Sequence, residues 1–132
     1  MSGVLALRGV VIAALRGDAA LMALVNSVED GGLSRQSAPA LVIGQLFATE
    51  WGARGLRGLS VRVPMTVVDR ADRPERLEAA AERIEAVMGG LAAHAGDWRV
   101  GSVRLDRSRS LRGSDGQWSL LVDYAVRLSR VG

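Results

Sequence analysis

Residues Leu59–Met88 read LSVRVPMTVVDRADRPERLEAAAERIEAVM, and the hydrophobic period changes within them from two to about 3.6 residues. Leu59, Val61, Val63, Met65 and Val67 alternate along one strand face. Leu77, Ala80, Ala81, Ile84, Val87 and Met88 then recur on one side of an amphipathic helix. Asp72-Arg73-Pro74-Glu75 supplies the start signal between them, with Asp72 placed to cap the first turn, Pro74 losing nothing there, and Glu75 where a capping box puts its carboxylate. This strand and helix are expected to form half of a core.

Working outward, residues 3 to 16 place Val4, Leu7, Val11, Ile12 and Leu15 at helical spacing, with Gly17 as the stop. Asp18 is positioned to cap a short second helix carrying Leu21, Met22, Leu24 and Val25. Gly31 to Pro39 reads as a loop. Ala40–Ala48, ALVIGQLFA, is a short apolar run bounded by Pro39 and Glu50-Trp51-Gly52, as a buried strand would be, and its expected partner is the strand after Leu56. Thr49 to Gly58 reads as an extended hairpin arm rather than a tight turn. Pro64 cannot donate to a ladder, which predicts an edge strand or a bulge there.

Beyond Gly89-Gly90, a third strand is expected from Asp97 to Asp106. Its alternation slips phase near Gly101, as a bulge would make it do. Asp106–Gly116, DRSRSLRGSDG, reads as a polar loop ending in an Asp-Gly turn. Trp118, Leu120, Val122, Tyr124, Val126 and Leu128 then mark a long strand with one face on the core. The expected fold is α+β, a mainly antiparallel four-stranded sheet with helices packed on one face, in the order α-α-β-β-α-β-β. With 132 residues, 48% of them hydrophobic, one domain spanning 1–132 is expected.

All seventeen basic residues are arginine, and the formal net charge is only +3. The pI of about 10.8 therefore overstates the basicity and raises nucleic-acid binding only slightly. The absence of cysteine excludes disulfides and cysteine metal sites. Arg8, Arg16 and Asp18 interrupt the apolar run Val4 to Val25 too often for a membrane span, so a soluble protein made in the bacterial cytoplasm is expected.

Catalysis requires convergent reactive groups, and the chain has one histidine, His94, and no HExxH, GxSxG or GxxxxGK[ST] pattern. No enzyme activity, cofactor or metal is expected. Glu75, Glu78, Glu82 and Glu85 fall on the solvent side of their helix, which is the ordinary reading of such spacing. Trp51, Arg54 and Arg57 in the arm and Arg107, Arg109 and Arg112 in the polar loop are the candidate interface residues, because arginine and tryptophan on projecting segments suit contact with another protein subunit. The sparse aromatics disfavour an RNA-recognition sheet.

The element order and several local patterns resemble the tail-completion, or tail-terminator, proteins of long-tailed phages and gene transfer agents. The patterns are Ala6-Leu7-Arg8 and Ala19-Ala20-Leu21 in the first two helices, Ala48-Thr49-Glu50-Trp51 in the arm, Asp69-Arg70 leading to Glu78-Ala79, and Asp115-Gly116-Gln117-Trp118 at the closing turn. The resemblance implies a structural protein that forms a homohexameric ring on the head-proximal end of the tail tube and stops its growth. It further implies contacts with the tube protein and with a head–tail connector or stopper, while DNA passes through unread. A small nucleic-acid-binding module and a small-molecule-binding domain are the alternatives.

Overall fold

The computed structural model describes residues 2–31, 38–70 and 73–131. Two helices open the chain, α1 (Gly3–Arg16) and α2 (Ala19–Met22), and four strands follow: β1 (Ser27–Asp30), β2 (Ala40–Ile43), β3 (Phe47–Ala53) and β4 (Leu56–Asp69). After α3 (Glu75–Gly89) come β5 (His94–Ala95), β6 (Trp98–Arg112) and β7 (Trp118–Val131). The expected four-stranded antiparallel sheet with helices packed on one face does not hold. Strands take up 49% of the described residues and form one curled, mixed seven-stranded sheet, a half-barrel, and helices are few.

The strand order is β1-β2-β4-β7-β6-β5, with β3 also on β4; β1 pairs β2 in parallel and every other pairing is antiparallel. Both ends of this order, β1 and β5, touch α1. A sheet whose two terminal strands reach the same helix must curl around it. Leu7, Val11 and Leu15 of α1 meet Val61, Val63, Met65 and Val67 of β4, Leu77, Ile84 and Met88 of α3, and Val122, Tyr124, Val126 and Leu128 of β7 in one buried cluster. Burial pushes the Tyr124 hydroxyl up to about 12, with the Glu85 carboxylate adding to the shift.

Local signals placed the first helices well. Ser2 caps α1, Gly17 ends it, and the Asp18 carboxylate accepts from the Leu21 amide at 2.9 Å to start α2. The expected Asp72 cap lies outside the described residues; Pro74 occupies the N-cap of α3 and Glu75 begins the helix. Arginines tie helices to sheet and to each other. Arg8 pairs with Asp30 and donates to the Gly44 carbonyl at 2.7 Å, Arg16 donates to the Val28 carbonyl, and Arg83 grips Asp18 through two bonds. Asp69, 1% exposed and the one buried charged residue among those described, accepts two bonds from Arg76 at 2.6 and 2.9 Å where β4 hands over to α3.

Pro64 is not on an edge strand. β4 is central and pairs β7 along its whole length. The Pro64 carbonyl accepts from the Gly44 amide at 2.8 Å, so its missing N–H also faces the β2/β3 side. There the neighbouring strand is interrupted, β2 ending at Ile43 and β3 starting at Phe47, and no ladder bond is lost. The run Ala40–Ala48 is consequently two strands rather than one.

Candidate assembly surface

The arm takes the hairpin form expected of it, whereas the arginine segment does not take the form of a loop. Thr49 to Gly58 is an extended hairpin, as expected, but with a tight tip: β3 and β4 join through a two-residue turn, Arg54-Gly55, between the paired Ala53 and Leu56. Gly55 adopts φ +75°, the left-handed conformation that suits glycine at such a turn. Arg54 and Arg57 are exposed near the tip. Trp51 lies flat on Gly58, where an added Cβ would stand 2.2 Å from the indole, and the Arg127 guanidinium covers the ring at 4.4 Å from its centroid.

The polar stretch from Asp106 is strand, not loop, as far as Arg112. β6 carries bulges between Val100 and Val103 and between Leu105 and Arg107, the first where the phase slip predicted it, and then runs in regular register from Arg107↔Asp123 to Arg112↔Trp118. Arg107 donates to Asp123 at 2.7 Å and Arg112 stacks over Trp118 at 5.3 Å. Arg109 is exposed, with no ion pair among the described residues. The turn proper is confined to the stretch Gly113–Gln117, closed by the Gly113 amide on the Gln117 carbonyl and by the Asp115 carboxylate on the Gln117 amide.

Register sorts these residues onto faces. Arg107 and Arg109 share the sheet face turned away from the core with Arg62, Arg104, Arg127 and Trp51. Asp106 and Asp123 lie among these arginines. The Arg62 hydrogen bond, and then its charge, holds the Asp106 carboxyl below the usual range. Arg62, Arg127, Phe47 and Leu111 were not among the sequence candidates, because which residues share the outer face depends on strand pairing that no local pattern encodes. The two candidate groups do not come together within one chain: β3 and the Arg107–Arg112 run lie on opposite flanks of the sheet, separated by β4 and β7.

Two open clefts accompany these elements. One of about 390 Å³ is lined by Glu50, Trp51, Arg57, Leu59 and Trp98, and another of about 450 Å³ lies between α3 and the β6–β7 hairpin beside Leu77, Glu82 and Trp118. Among the described residues no group of three His, Asp or Glu converges as metal ligands do, and no helix is long and apolar enough to cross a membrane. His94 is exposed in β5, and Glu75, Glu78, Glu82 and Glu85 are all exposed along α3.

Residues 9–129 match the model of the family described as tail completion protein gp17. The chain belongs to the tail completion protein family. Its fold matches a chain in a solved structure titled "Virion of native gene transfer agent (GTA) particle", with a TM-score of 0.78, 16% sequence identity, and coverage of 93% of this chain and 94% of that one. No curated protein sequence matches. The family match, not the structural likeness, is what makes the chain a tail completion protein.

Proposed function

We propose that residues 1–132 work as one tail-terminator domain that assembles as a homohexameric ring on the head-proximal end of the tail tube, halts tube growth and joins the tube to the head connector or stopper. The observation that carries this reading is the family match over residues 9–129, joined to a surface whose two candidate contact groups sit on opposite flanks of the sheet. Surfaces on opposite flanks favour head-to-tail contacts, which close into a ring at a fixed subunit number. Trp51, Arg54 and Arg57 on one flank and Arg107, Arg109 and Arg112 on the other are the proposed interface residues, and DNA passes through the ring without being read. The role is structural and needs no cofactor.

The test is particle assembly without this protein. Tubes are expected to overrun their normal length and remain unjoined to heads; joined tails of normal length would refute the reading. A nucleic-acid module is favoured by the arginines of the outer face, but Asp106 and Asp123 lie among them and Arg62 and Arg107 are already paired. That reading would be selected by DNA affinity falling steeply with salt, together with normal head joining when Arg107, Arg109 and Arg112 are all alanine.

A further inference from the structure

The seven-stranded sheet has two open flanks. Among the described residues β3 pairs only with β4, and β6 beyond Val100 pairs only with β7, so each presents a row of unpaired backbone groups. β3, FATEWGA, has none of the usual guards of an edge strand: no proline, no bulge and a single charge. Bulges disrupt the first part of β6 but leave six residues, Arg107–Arg112, in regular register, a length that matches the seven of β3. Two of the large hydrophobic side chains that stand exposed, Phe47 at 60% and Leu111 at 42%, lie on these two strands and on the same sheet face.

We infer that the β3 edge of one copy pairs with the Arg107–Arg112 edge of a second copy, so that the sheet continues from subunit to subunit. This rests on the ring reading above. Within a chain β3 runs opposite to β6, and rotation about a ring axis preserves strand direction, so the junction is antiparallel. Placing Phe47 opposite Leu111 then sets Ala48 against Ser110, Thr49 against Arg109 and Trp51 against Arg107. Each face meets its like: the two exposed apolar side chains cover one another, and Arg107 reaches the indole of Trp51.

The geometry of closure agrees. Trp51 is level with Gly58 of β4, whereas Arg107 is level with Pro64 through Asp123, so the junction steps six residues along the strands. Six residues rise about 20 Å, and the four strands β3, β4, β7 and β6 span about 19 Å of sheet, which sets the strands at about 45° to the ring axis, within the tilt that closed barrels adopt. The second copy thereby brings together the two groups of residues that one chain holds apart.

The chain contains no cysteine, so any disulfide reports an introduced pair. In one chain β3 and β6 are about 14 Å apart across three strand spacings, beyond the reach of about 7 Å between Cα atoms that a disulfide tolerates. The experiment oxidises particles assembled with full-length A48C/S110C or T49C/R109C; adjacent pairs alternate between hydrogen-bonded and non-hydrogen-bonded sites, and the first is nearly isosteric with the natural residues. A ladder of covalent multimers on non-reducing gels, absent from each single variant, is expected. Rings seen by imaging in particles of both double variants, with no ladder from either, would overturn the edge pairing and leave the ring standing. Particles whose tails carry no ring of this protein would overturn both.

Discussion

Replacing Arg76 with methionine lowers stability by about 3 kcal/mol, at the lower end of the cost of leaving one member of a buried ion pair behind. Asp69 is almost wholly buried, and two of the bonds it accepts come from this guanidinium. Methionine keeps the aliphatic stem but removes the charge that balances the carboxylate. Arg76 is itself 44% exposed, so water already screens part of the interaction and the upper end of the range is not reached. In a chain of this length the loss corresponds to a fall in Tm of about 10 °C. Thermal unfolding of the variant beside R107M makes the comparison internal, because Arg107 is 77% exposed in its pair with Asp123 and its loss costs about 1 kcal/mol or less. Equal shifts for the two variants would show that the Asp69 junction does not hold β4 to α3.

Leu7→Ala is expected to cost more, about 3 to 4 kcal/mol, the transfer energy of the lost side-chain atoms plus that of the cavity they leave. Leu7 is fully buried on α1, the helix that both terminal strands of the sheet contact. A cavity under α1 therefore loosens the closure of the curl at two places at once. Chemical denaturation measures this as a lowered midpoint with an unchanged slope. A cost below about 1 kcal/mol would mean that the sheet holds its curl without the helix.

What the sequence made legible follows from where apolar burial was one-sided. The α1 stripe, the Gly17 stop, the Asp18 cap, the β4 and β7 alternations and the bulge near Gly101 each left a local periodic mark, and each stands in the structure. β1 and β5 did not, because SVED and HA are too short to show a period and form only through partners distant in sequence. Arg107–Arg112 reads as loop since most of its residues face solvent on both sides of the sheet; pairing with β7 alone makes it strand. The curl itself was invisible, being set by β1 and β5 reaching the same helix. The candidate residues were chosen by type, and their arrangement on opposite flanks depends on strand order, which no local pattern encodes.

The central claim is that this protein closes the head-proximal end of a tail tube as a ring of six. Subunit-resolved electron cryomicroscopy of the head–tail junction, supported by native mass spectrometry of released tails, counts the copies and locates them. Six copies in one closed layer between tube and connector are predicted. A stable dimer, or tails of normal length that lack the protein altogether, would contradict it.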